Sequence, residues 1–163
     1  MASALIGLGG NLGDVRATFD RAIPMICECA KGRLTARSSD YGTPPWGDEA
    51  QPDFINACIA IETALAPHAL LDVLHAVETA FGRDRANERR WGPRPLDLDL
   101  LGYDDVTLKT ERLTLPHPRA HERAFVLVPL AEIAPERRIG GETIANLSRT
   151  MDRSGIHKLP PRA

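Results

Sequence analysis

The chain has 163 residues, 43% hydrophobic and 26% charged, with a formal charge of −2. That length suits one globular domain over residues 1–163, and the near-neutral charge argues against nucleic acid as the main partner, which needs a basic footprint. Three cysteines without metal-ligand spacing, no apolar run long enough to cross a membrane, and a Met-Ala-Ser-Ala start unlike a signal peptide predict reduced thiols in a cytoplasmic protein.

Residues 3–8 read as a buried strand broken by glycines. Gly7-Leu8-Gly9-Gly10-Asn11-Leu12-Gly13 imitates a dinucleotide fingerprint, but the third glycine of G-x-G-x-x-G falls on Leu12, and no Lys-Ser/Thr follows for a phosphate loop. A strand-to-helix turn capped by Asp14 is the better reading. A helix is predicted from Val15 to about Ala30, with Val15, Phe19, Ala22, Ile26 and Ala30 as its apolar stripe and Pro24 as a kink or a new start. Cys27 and Cys29, two positions apart, cannot share its face. Residues 33–41 read as a strand, and a loop from Gly42 to Asp48 exposes Trp46.

Phe54 to Glu62 alternates as a strand, with Ile55, Ala57, Ile59 and Ile61 on one face and Phe54 and Asn56 on the other. A ring beside an amide suits a flat heterocycle with donor and acceptor edges; core packing with a satisfied Asn is the plainer alternative. Pro67 opens a helix that runs to Phe81 and ends at Gly82, burying Leu70, Leu71, Leu74, Val77 and Phe81. Glu78 borders that face and points toward the arginines that follow.

Those arginines precede a carboxylate pair. Five of them, Arg83, Arg85, Arg89, Arg90 and Arg94, lie between residues 83 and 94 of a chain with 20 basic residues in all, so the cations are concentrated here. Gly82, Gly92, Pro93 and Pro95 make the segment a loop, predicted to be a mobile arm that closes over a substrate. In the strand Leu96-Asp97-Leu98-Asp99-Leu100, the leucines share one face and the aspartates the other. Two carboxylates so placed can hold Mg²⁺, while guanidinium groups suit phosphate oxygens. Solvated aspartates on an edge strand are the plainer alternative. Gly102 to Asp105 turns the chain, Val106 to Leu108 starts a hairpin return, and His117 is held between Pro116 and Pro118. A helix is predicted from about Arg119 to Ile133 and a short one near Thr143 to Met151. The tail from Arg137 onward reads as packing and surface.

Arg-Trp-Gly-Pro-Arg-Pro-Leu-Asp-Leu-Asp-Leu-Leu at residues 90–101 resembles the signature of the 6-hydroxymethyl-7,8-dihydropterin pyrophosphokinases. So do the glycine-rich start, Tyr-Gly-Thr-Pro-Pro-Trp-Gly at 41–47, Gln51 to Asn56, and Leu-Pro-His-Pro at 115–118 followed by Arg123 and Phe125. The resemblance implies an α+β, ferredoxin-like sandwich with a mainly antiparallel sheet covered by helices. It implies pyrophosphate transfer from ATP to the pterin alcohol, with two Mg²⁺ ions on Asp97 and Asp99 and no protein partner. Arg85 and Arg94 join those aspartates as catalytic residues. It puts Glu78, Arg83, Arg85, Trp91, Arg94, His117 and Arg123 at ATP, and Thr43, Pro45, Trp46, Phe54, Asn56 and Phe125 at the pterin, with Asn11 near the pterin end. Glu78 has two readings, a structural partner for an arginine or a nucleotide contact. Phe54 stands where some members carry tyrosine, and Pro118 replaces a tyrosine, removing one phosphate contact.

Two rivals come from other classes. A metal-dependent phosphodiesterase or nuclease also uses an Asp pair and arginines, but needs a broad basic groove. A non-catalytic pterin or nucleotide-binding module needs no metal pair.

Overall fold

The computed structural model describes residues 1–45, 50–84 and 94–162. The expectations for Trp46, Arg85, Arg89, Arg90 and Trp91, and the mobile arm itself, lie outside or mainly outside the described residues.

β1 (Ala2–Gly10) includes the glycines that were expected to end it. α1 (Val15–Cys29) follows, capped by Asp14, whose carboxylate accepts from the Ala17 amide. The helix passes through Pro24 without a new start and buries Phe19 completely; burial of such a ring contributes roughly 1.5–3 kcal/mol. The strand expected over 33–41 is two, β2 (Gly32–Arg37) and β3 (Tyr41–Thr43), so the loop begins after Thr43 and not at Gly42. Ser38 causes the break: its hydroxyl, buried at the turn, accepts from the Cys58 amide, while Asp40 beside it is held by Arg16 and Arg37. β4 (Phe54–Thr63), α2 (Pro67–Ala80) and β5 (Asp97–Tyr103) come next.

β6 (Leu108–Lys109) pairs with β7 (Thr114–Leu115), so the expected hairpin is a small separate sheet. The helix expected from Arg119 starts late. A 3-10 turn at Ala120–Glu122 is followed by Arg123 in extended backbone, and only then by α3 (Ala124–Ile133). The tail forms β8 (Arg138–Ile139), β9 (Glu142–Thr143), α4 (Ile144–Arg149) and β10 (His157–Lys158). Its last strand is more than surface, since it pairs with β3.

Among the described residues the main sheet has the order β10-β3-β4-β1-β5, with β2 also beside β4, and every pairing is antiparallel. β1 and β2 therefore run the same way with β4 between them, and β4 and β5 run the same way with β1 between them. These two interleaved β-α-β units make a ferredoxin-like core.

α1 and α2 cover one face over Ile6, Leu8, Ile59, Ile61, Leu98 and Leu100. α3 and α4 cover the other over Leu5, Cys58, Ala60 and Leu101. Leu101 is the extra residue of a bulge against Leu5 and Ile6, which is why the adjacent Leu100 and Leu101 enter opposite cores. The second cluster holds one end of that face, and the chemistry-bearing residues lie at the other.

Candidate active site

Three strands build the floor on the α3 face. Gly9 pairs with Asn56 on one side and Asp97 on the other, and Gly7 likewise lies between Cys58 and Asp99. Asn56 and Asp97 thus stand two strand spacings apart, roughly 10 Å, with bare backbone between them. A Cβ on Gly9 would lie 2.8 Å from Asn56 Oδ1 and would push that amide out of its position. Phe54 shares this face by alternation from Asn56, and Thr43, its partner on β3, accepts a long 3.5 Å hydrogen bond from Asn56 Nδ2. Pro45 follows, half-buried.

The aspartates lie as the alternation predicts, with Leu96, Leu98 and Leu100 buried behind them. Of the five arginines expected on the arm, Arg83 and Arg94 lie among the described residues. Arg83 is buried, its side chain only 4% exposed, and its Nη1 lies 2.7 Å from Glu78 Oε2 and 2.6 Å from Asp97 Oδ1. Arg94 Nη1 stands 4.0 Å from Asp97 Oδ2. Glu78 is wholly buried, and its Oε2 also accepts from the Leu98 amide at 2.8 Å. Glu78 and Arg83 therefore bear on the site through Asp97 and the edge of β5. Burial, reinforced by the neighbouring Asp97 charge and opposed by Arg123, pushes the Asp99 carboxyl up to about 7. A pair of carboxylates that resist being charged together fits a hard divalent cation. Among the described residues no third side chain completes a metal cage, so water and phosphate oxygens would fill the remaining positions.

His117 and Arg123 come from the chain after β7. The His117 amide donates to Leu101 O at 2.9 Å, and its Nδ1 accepts from the Arg119 amide at 3.1 Å, which leaves Nε2 to carry the ring proton. Burial, then the Arg123 charge, lowers its pKa to about 4, so the ring is a neutral donor. The Arg123 guanidinium lies 5.7 Å from the centre of the Phe125 ring, a cation-π contact at the start of α3. The expected residues Thr43, Phe54, Asn56, Asp97, Asp99, His117, Arg123 and Phe125 thus belong to one side of the molecule. Asn11 lies below it, buried among the segments that enter β4 and β5.

A cavity of about 310 Å³ opens beside β5, lined by Leu71, Leu98, Leu100, Arg112 and Thr114 and reaching Asp99 and His117. Leu71, Leu100, Arg112 and Thr114 line it without having been expected at the site from the sequence; for Thr114 the adjoining Leu115-Pro116-His117 run was a signal. A larger cavity of about 480 Å³ near Arg16, Asp20, Arg37 and Asp40 is a poorer candidate. Arg16 is already engaged by Asp40, Arg37 by Asp20 and Asp40, and Arg162, which also lines it, by Asp14.

Known proteins share both the chain and its shape. A 2-amino-4-hydroxy-6-hydroxymethyldihydropteridine pyrophosphokinase of Methylorubrum extorquens is 50% identical over 159 residues, 98% of this chain and 99% of that one. The enzyme of the same name from Bacillus subtilis is 43% identical over 133 residues, 82% of this chain and 78% of that one. The crystal structure of Plasmodium falciparum HPPK-DHPS with SDX-DHP gives a TM-score of 0.70 at 14% identity, over 97% of this chain and 47% of the other. That likeness carries the fold alone, and this chain spans about half the length of that protein. The model of one family, 7,8-dihydro-6-hydroxymethylpterin-pyrophosphokinase (HPPK), matches residues 5–135, from the middle of β1 to just past α3. With the carboxylate pair, the glycine floor and Asn56 all inside that match, the chain belongs to the 7,8-dihydro-6-hydroxymethylpterin-pyrophosphokinase family.

Proposed function

We propose that the two ends of the Asn56–Gly9–Asp97 row hold the two substrates of the family's reaction, in which pyrophosphate passes from ATP to 6-hydroxymethyl-7,8-dihydropterin. This row carries the reading, because it sets an amide that can pair with a ring edge one strand away on either side of a bare floor from carboxylates suited to phosphate chemistry. The pterin lies against Phe54 and Phe125, with Asn56 oriented by Thr43 toward its amide edge and Pro45 beside it. The expectation for Trp46 at this end also belongs to the proposal.

ATP takes the other half. Its base enters the cavity beside β5, where alternation from Leu98 turns the Leu100 N–H and C=O toward the open edge. Its phosphates reach Arg94, Arg123 and the Nε2–H of His117, with Arg85 and Trp91 assigned to the same half from their place in the motif. Asp97 and Asp99 would hold Mg²⁺, two ions in this reading, which supplies charge neutralisation around the triphosphate. The chain's own contribution is positioning: a neutral histidine donor, guanidinium groups fixed by Asp97 and Phe125, and an acceptor laid two strands from the phosphates. The pterin hydroxymethyl oxygen bonds to the β-phosphorus, the bond from that phosphorus to the α–β bridging oxygen breaks, and AMP leaves with the bridging oxygen and its electron pair as the hydroxyl proton is released to water. Free thiols at Cys27, Cys29 and Cys58 suit a cytoplasmic setting. No described helix is long and apolar enough to cross a membrane.

The products test the reading. Incubation with Mg²⁺, ATP and the pterin should yield AMP and pterin diphosphate in equal amounts, with no AMP when the pterin is omitted. ADP with a pterin monophosphate, or hydrolysis that ignores the pterin, would overturn it. The ring assignments predict a further split: Phe54→Ala or Phe125→Ala should weaken pterin binding by about 10- to 100-fold while ATP binding stays within about threefold. Equal losses for both ligands in calorimetry would show a packing defect instead.

A further inference from the structure

Asn11 is polar yet only 2% exposed, and its side chain spends every hydrogen bond on two other segments. Its Nδ2 donates to Gln51 Oε1 at 2.7 Å and to Pro52 O at 3.1 Å. Its Oδ1 accepts from the Arg94 amide at 2.9 Å. The Asn11 and Leu12 amides donate back to Arg94 O at 3.0 and 3.2 Å. Gly10 completes the seat, because a Cβ there would lie 2.8 Å from Pro95 O. One side chain at the end of β1 therefore ties the approach to β4, two residues before Phe54, to the approach to β5, three residues before Asp97. A primary amide suits this post because it offers two donors at one end and an acceptor at the other; a carboxylate has no donor.

We propose that Asn11 is a positioning residue that couples the two substrate halves, so that filling one orders the other. The proposal rests on the assignment of pterin to the β4 side and ATP to the β5 side. A ligand that fixes the Arg94 backbone also fixes the Asn11 amide that receives it, and hence Gln51 and Pro52 ahead of the ring-binding residues. Coupling of this kind is reciprocal: each ligand tightens the other by the same factor.

Calorimetry with the full chain measures it, using Mg²⁺ and an ATP analogue with methylene in place of the α–β bridging oxygen, the bond that transfer breaks. In the unaltered protein the analogue should tighten pterin binding about tenfold or more, and the pterin should do the same for the analogue. Asn11→Asp keeps the volume and the acceptor for Arg94 but loses both donors. Its coupling factor should fall to within about threefold of unity, with binding of the analogue alone changed less than about threefold. Gln51→Leu cuts one of the same bonds from the other end, leaves Asn11 in place, and should lower the factor in the same direction. A coupling factor unchanged in these variants overturns the proposal. So do parallel losses of both affinities that preserve the factor, which mark a merely structural residue, and so does the absence of coupling in the unaltered protein. Failure of that protein to release AMP would instead overturn the assigned reaction, so the two failures are distinguishable.

Discussion

Asp99→Asn should lower turnover by about 10³-fold and at the same time make the protein without Mg²⁺ more stable at pH 8. The two effects share a cause. Asp99 is held where burial and the Asp97 charge raise its pKa from 3.8 to about 7. Between those values the native protein keeps a proton that the unfolded chain has released, so the associated stability is fully present below pH 3.8 and is lost as pH rises through 7. At pH 8 the wild-type protein carries the full penalty of a second buried negative charge, and asparagine removes it. Allowing for partial exposure and for relaxation around the pair, the gain should be on the order of 2–4 kcal/mol at pH 8, shrinking toward zero near pH 4. His117 titrates in the opposite sense: its pKa is lowered to about 4, so stability falls as pH drops through that of the unfolded histidine, 6.5. That term is shared by both proteins and largely cancels in the comparison. Urea denaturation at a series of pH values checks the result. A variant whose stability runs parallel to wild type at every pH would remove the electrostatic account, and one that retains turnover would remove Asp99 from the active site.

The alternation in Leu96 to Leu100 was legible because burial of the leucines leaves the aspartates one direction only. Asn56 and Phe54 were legible for the same reason, since nine or ten residues of period two leave little freedom in register. Strands of two or three residues carry no such signal. β3 is held by its pairing with β4 and β10 by its pairing with β3, and Ser38 divides β2 from β3 through a bond to Cys58, 20 positions away. The cavity beside β5 was hidden for a related reason: Leu71, Leu100 and Arg112 come from three elements, and the β6–β7 hairpin brings Arg112 to the open strand. Arg83 misled most. Its neighbours Gly82 and Asp84 look like the start of an exposed loop, yet the carboxylates that draw it inward belong to α2 and β5. Composition of the local segment cannot reveal a partner contributed by another element.

Glu78 offers the sharpest test of that arrangement, because its two sequence readings predict different losses. Its wholly buried carboxylate joins Arg83 to the Leu98 amide, so one oxygen serves a guanidinium and the edge of β5 together. Glu78→Ala takes from Arg83, which is poorly solvated, one of the two carboxylates that hold it among the described residues, and takes the acceptor from Leu98. Breaking a buried pair by removing one member costs about 3–5 kcal/mol, far more than an exposed pair would. Glu78→Gln should fall between, since it can still accept from Leu98 but no longer offsets the arginine charge. The double variant Glu78→Met, Arg83→Met should recover a large part of the loss, because no stranded buried cation remains and the methionines fill similar space. Turnover should not recover with it, since Asp97 would then lack the guanidinium that orients its Oδ1. Urea denaturation of the three variants, alongside KM for ATP, separates the readings. A Glu78→Ala protein that keeps wild-type stability within about 1 kcal/mol and loses only ATP affinity would make Glu78 a direct nucleotide contact.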